Sequence, residues 1–134
     1  MQPVELARQI VTRLKASGHQ AYFVGGCVRD LLLGGAPKDY DVATDAQPSE
    51  ISALFPKSDL VGAHFGVVLV HDSGAQVEVA TFRSDHAYVD GRHPEAVDFE
   101  TDPRQDVLRR DFTINALLLD PDREGVAHCC LLLL

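Results

Sequence analysis

The chain has 134 residues, enough for one domain that buries roughly two-thirds of its unfolded surface. With 46% hydrophobic and 24% charged residues it has the balance of an ordinary globular protein, and nothing in it approaches the roughly 20 apolar residues of a membrane span. A net charge of -8, from 20 acidic and 12 basic residues, argues against a surface that grips nucleic acid by itself; such a substrate needs a basic surface from elsewhere.

The opening residues, MQPVELARQ, are polar and amphipathic and lack the apolar core of a signal peptide, so a cytoplasmic location is expected. Val4, Ala7, Ile10, Val11 and Leu14 recur at helical spacing and predict a helix over Pro3 to Ala16, with Gly18 as its stop. Ala21 to Val24 reads as a strand buried on both faces. Gly25-Gly26 ends that strand and opens a short helix carrying Val28, Leu31 and Leu32, with Cys27 as a small core residue. Gly34-Gly35 and Pro37 stop the helix.

Asp39 to Thr44 alternates as a strand, with Asp39, Asp41 and Ala43 on one side and Tyr40, Val42 and Thr44 on the other. Pro48-Ser49-Glu50 starts another short helix with Ile51, Leu54 and Phe55 on its apolar face. Gly62 to Val70 and Gln76 to Phe82 read as antiparallel strands joined by a turn over His71 to Ala75, with Gln76, Glu78 and Ala80 sharing a face. Ser84 to Asp102 reads as a mobile loop, Pro103 to about Asp111 as a helix, and Thr113 to Leu119 as a strand. Glu124 to Leu134 has no periodicity. Cys27, Cys129 and Cys130 form neither a disulfide framework nor a zinc spacing.

These elements predict an α+β fold with a small mixed sheet flanked by helices, and with Asp39, Asp41 and Glu78 converging at one edge. Two carboxylates at i and i+2 on a strand lie about 6.6 Å apart at Cα and project to one side. That suits magnesium, which takes a few carboxylates and completes its shell with substrate phosphates, and Glu78 on a later strand is the natural third ligand. The Gly25-Gly26 turn lets backbone N–H groups approach phosphate oxygens, and Arg29 adds a charge-assisted contact. Farther on, Arg109, Arg110, Asp111 and Asn115 gather polar groups beside an apolar run, where Arg110 suits a phosphate and Asp111 a ribose hydroxyl or an arginine. Taken singly, each also fits a tight turn, a turn-edge Asp pair or a helix-end salt bridge. Neither a Walker A loop nor a dinucleotide fingerprint is present.

In this order and spacing, GGCVRD at 25–30, DYD at 39–41 and RRDFTINAL at 109–117 resemble the tRNA nucleotidyltransferase/poly(A) polymerase family, and specifically the head domain of bacterial CCA-adding enzymes. GAHFGVV at 62–68 and VEVATFR at 77–83 resemble the hairpin that lies between those motifs. The resemblance implies a palm-like nucleotidyltransferase fold. It also implies transfer of CMP or AMP from CTP or ATP to the 3′-hydroxyl of tRNA, or poly(A) addition. By position it makes Asp39, Asp41 and Glu78 the catalytic carboxylates and ligands of two magnesium ions. Gly25, Gly26, Arg29, Arg110, Asp111 and Asn115 become nucleotide contacts.

The expected layout is a head domain over 1–122 and an atypical tail over 123–134, such as a truncation or a frame change near Asp122 produces. Sequencing the locus across that codon tests it. No Glu-Asp-x-x-Arg base template occurs in the chain. RNA would be held through segments beyond those motifs, and the alternative expectation is a fragment that binds nucleotide without turnover. A glycosyltransferase using Asp-x-Asp is a third reading, and it leaves RRDFTINAL unexplained.

Overall fold

The computed structural model describes residues 1–62, 65–85, 97–99, 102–103, 118–122 and 129–130. Helix α1, Pro3–Ala16, starts on a proline whose missing N–H costs nothing in a first turn. Glu5 near its start and Arg13 and Lys15 near its end complement the helix dipole. Its apolar face buries Leu6, Ala7, Ile10, Val11 and Leu14. Ile10 and Leu14 are completely enclosed, each worth about 1.5–3 kcal/mol relative to exposure. Gly18, at φ 88, closes the helix: its N–H bonds Lys15 O at 3.0 Å and the N–H of His19 reaches Leu14 O at 3.0 Å, a Schellman stop.

The strands are β1 (Ala21–Val24), β2 (Asp41–Thr44), β3 (Ser58–Gly62), β4 (Val67–Asp72), β5 (Ala75–Thr81), β6 (Arg83–Asp85), β7 (Val97–Phe99), β8 (Leu118–Leu119) and β9 (Cys129–Cys130). Seven of them form one sheet in the order β3-β4-β5-β2-β1-β8-β9, while β6 and β7 pair separately. Helix α2 spans Gly26–Leu32 and α3 spans Pro48–Leu54. The β2–β5 pairing is parallel and the other described pairings are antiparallel, so the sheet is mixed as expected. A parallel neighbour needs a long crossover, and α3 with the β3–β4 pair supplies it.

All three helices feed one core. Ile10, Val11, Val28 and Ile51 pack with Phe23, Val42, Val68, Val77 and Val79 on one sheet face. On the opposite face a smaller cluster joins Val24, Ala43, Phe82 and Leu118, with Tyr22 beside it. β1 therefore does bury side chains on both faces.

Several boundaries differ from the sequence expectation, each for a local reason. β2 begins at Asp41, because its partner β1 ends where Gly25 turns away, leaving Asp39 and Tyr40 outside the ladder. The β4–β5 connection is two residues, Ser73-Gly74, and not five. Both adopt positive φ, at 49 and 85, as a tight type I′ turn demands. β3 was not anticipated: it is a mostly exposed strand on the rim of the sheet, and burial leaves no alternation to read. The loop expected over Ser84 to Asp102 is paired at its two ends, Ser84 with Asp98 and Asp85 with Val97. Among the described residues, no helix is long and apolar enough to cross a membrane.

Candidate active site

Asp41 and Glu78 stand side by side. They are Cα register partners on the parallel strands β2 and β5, which places them about 4.8 Å apart across the ladder. The sheet's alternation points both away from the helical core, since their neighbours Val42, Val77 and Val79 belong to that core. One row of register partners crosses the whole sheet here: Asp59, Leu69, Glu78, Asp41, Val24, Leu118 and Cys130. The carboxylates sit on its third and fourth strands, in the interior of the sheet and not at the expected edge.

The glycine turn closes against this pair. Gly25 has φ 83 and ψ -149, a region essentially reserved for glycine. A Cβ built there meets Asp41 Oδ2 at 3.4 Å, so the missing side chain lets the turn lie directly against the carboxylate. Gly26 has a matching reason: its Cβ would meet Arg29 Nη2 at 3.2 Å. The guanidinium thus folds back over the turn and is held by Asp30, with Nε to Oδ1 at 3.1 Å. Gly35, past the end of α2, donates its N–H to the Asp30 carbonyl oxygen at 2.8 Å and fixes the return toward β2.

Beneath the turn, Cys27 and Tyr40 are buried. Burial pushes the Cys27 thiol pKa up, and the nearby Asp41 backbone N–H acts against that. Burial likewise raises the Tyr40 phenol, helped by Cys27 and opposed by Arg8. Cys27 is a small core residue, as its apolar surroundings in the sequence suggest, and spacing does not show its bond to the Val24 carbonyl oxygen.

Of the expected site residues, the fold gathers Gly25, Gly26, Arg29, Asp41 and Glu78. Asp39 is exposed and stands before the strand. Arg110, Asp111 and Asn115 lie outside the described residues. Among the described residues, no three His, Cys, Asp or Glu side chains are gathered closely enough to hold a cation. The Asp41–Glu78 pair still suits a hard divalent cation in its chemistry. Glu78 is exposed and Asp41 half-buried, which leaves room for water and phosphate oxygens to complete the shell. A cleft of about 200 Å³ lined by Leu6, Ile10, Phe55 and Val70 lies on the helical side and is no part of this site.

Known proteins with these features are similar over most of the chain. The sequence model of the Poly A polymerase head domain matches residues 21–130. The CCA-adding enzyme of Geobacillus kaustophilus (strain HTA426) is 50% identical over 118 residues, covering 88% of this chain and 29% of that enzyme. That of Streptococcus pyogenes serotype M2 (strain MGAS10270) is 47% identical over 120 residues, 90% of this chain and 30% of the relative. The crystal structure of Bacillus stearothermophilus CCA-adding enzyme in complex with CTP superposes with a TM-score of 0.77 at 42% identity, covering 90% of this chain and 28% of that one. A Thermotoga maritima CCA-adding enzyme complexed with tRNA gives a TM-score of 0.62 at 26% identity, over 86% of this chain and 25% of that one. The chain thus spans less than a third of the length of these relatives.

Proposed function

The chain belongs to the Poly A polymerase head domain family, and from that premise we propose that it is the catalytic head of a metal-dependent RNA nucleotidyltransferase of the CCA-adding type. The donors are CTP and ATP, and the acceptor is the 3′-hydroxyl of tRNA. The observation that carries this reading is the pairing of Asp41 with Glu78 directly against the Gly25 turn. Nucleotidyl transfer needs metal-binding carboxylates beside a phosphate cradle.

In this reading the Gly25-Gly26 backbone and Arg29 bind the triphosphate and orient it, with Arg29 set by Asp30. Asp41 and Glu78, with Asp39 brought in from the segment before β2, would hold magnesium, two ions in the full assignment. Bound magnesium lowers the pKa of an attacking hydroxyl and neutralises triphosphate charge. The chain's own contribution is mostly positioning: a rigid pair of carboxylates in the sheet interior and a turn with no side chain to obstruct the phosphates. Arg110, Asp111 and Asn115 are assigned to the nucleotide by their place in RRDFTINAL. The head is assigned to 1–122 and the cytoplasm is its proposed location.

The net charge of -8 favours a second reading, in which this chain by itself binds nucleotide without turnover because it holds RNA poorly. One assay decides. The chain is incubated with magnesium, labelled CTP or ATP, and tRNA lacking its 3′ end. Incorporation that vanishes in Asp41→Ala supports the enzyme, binding without incorporation supports the second reading, and failure to bind any nucleoside triphosphate sinks both.

A further inference from the structure

Two buried polar side chains lie between the glycine turn and the strand that starts at Asp41, and neither belongs to the ligand set above. Cys27, only 4% exposed, donates its thiol to the carbonyl oxygen of Val24 at 3.3 Å, and Val24 is the register partner of Asp41 on the neighbouring strand. Tyr40, 6% exposed, packs edge-on against Phe23 with ring centroids 5.4 Å apart and belongs to the same buried cluster as Cys27. The sulfur therefore occupies the point where β1 ends, α2 begins and β2 starts.

We propose that Cys27 is a positioning residue whose thiol, anchored on Val24 and backed by Tyr40, ties the glycine turn to Asp41 and holds the two in register. The inference rests on reading Asp41 as a metal-binding carboxylate. The clearance is small: Asp41 Oδ2 lies 3.4 Å from where a Gly25 Cβ would stand, so a shift of either backbone changes the contact. Removing the thiol takes a hydrogen-bond donor from the Val24 carbonyl oxygen, at the point where β1 pairs with Asp41, a loss that packing does not restore.

Shape and hydrogen bonding are separable by substitution. Cys27→Ser keeps a donor and an acceptor in a smaller side chain, whereas Cys27→Val fills the volume and keeps neither. Two readouts are measured on the intact chain: amide hydrogen exchange at Asp41 by NMR, and Mn²⁺ binding by electron paramagnetic resonance. Cys27→Ser is expected to track the wild type in both. Cys27→Val is expected to speed Asp41 exchange and weaken Mn²⁺ binding by about three- to tenfold, the scale of one hydrogen bond, with Val68 and Val79 amides unchanged. If Cys27→Val unfolds the chain, Cys27→Ala removes the same bonds without added bulk and takes its place in the ranking. A wild-type response in the Val or Ala variant overturns the proposal, as does impairment of Ser alone. A wild-type chain that binds no Mn²⁺ overturns the carboxylate reading, and Asp41 exchange then still decides the role of Cys27.

Discussion

Asp41 and Glu78 face each other across the only parallel pairing among the described strands, two carboxylates held side by side on adjacent backbones. Like charges directly opposite in a sheet destabilise it, so the fold keeps this pair at a cost. Glu78→Gln is therefore expected to leave stability unchanged or raise it by up to about 0.5 kcal/mol, while weakening Mn²⁺ binding by roughly tenfold or more. Thermal melts and a metal titration on the same sample check both directions. A clear drop in stability would mean that Glu78 is a structural partner and not a ligand.

Gly25→Ala places a methyl group in a backbone region that only glycine occupies comfortably, against Asp41 Oδ2. The expected cost is about 1–3 kcal/mol in urea unfolding. Nucleotide affinity measured under folded conditions should fall as well, because a turn strained at φ 83 relaxes away from this conformation. A variant with wild-type stability and binding would show that the turn does not need this conformation.

Lys15 links α1 to the segment after β8, with Nζ at 2.6 Å from Asp120 and 2.8 Å from Asp122. Burial pulls its pKa down, but the hydrogen bonds and charges of the two aspartates outweigh that, and the net shift is upward from 10.5. A raised folded pKa gives stability that is complete below the unfolded value and lost as pH climbs through the folded one. Lys15→Met should cost about 0.5–1 kcal/mol near neutral pH, a modest figure because water screens a partly exposed pair. Its deficit against the wild type should close above about pH 10.5. Paired urea titrations across that range measure it, and a deficit independent of alkaline pH would assign the effect to packing.

Ser73 carries φ 49 at the first central position of the β4–β5 turn, where asparagine is better suited. Ser73→Asn, giving Asn-Gly, is expected to stabilise the chain by about 0.5 kcal/mol in chemical denaturation. A loss instead would indicate that the Ser73 hydroxyl's 3.0 Å bond to Asp72 matters more than the backbone preference.

Much of this fold is legible where one physical signal dominates. Pro3–Ala16 is recovered to the residue because its apolar face, N1 proline and glycine stop all agree. Ala21–Val24 is readable as a short apolar run buried on both faces, and the alternation of Glu78 against Val77 and Val79 because there one face is buried and the other is not. β3 escapes because an exposed rim strand has no burial contrast. The early end of the β2 ladder escapes because it depends on where β1 stops, a fact of pairing and not of local sequence. For the candidate site, Gly25, Arg29, Asp41 and Glu78 are expected from residue chemistry and spacing. That Asp41 pairs with Glu78 and abuts Gly25 required the register. Cys27 is the small core residue the sequence suggests, but its partner, the Val24 carbonyl oxygen, is a backbone atom without a sequence signature.

The two faces of the sheet have unequal duties. Helices α1, α2 and α3 contribute their buried side chains to one face, which carries most of the buried apolar area, while Asp41 and Glu78 stand on the other. Under the proposed function, loss of chemistry and loss of folding are thus decoupled. Chaperones and proteases recognise exposed core, so a carboxylate variant with a dead site would pass their inspection and accumulate at a normal level. On that reading, an inactive copy would persist as a competitor for nucleotide, whereas a defect at Ile10 or Val68 would remove itself.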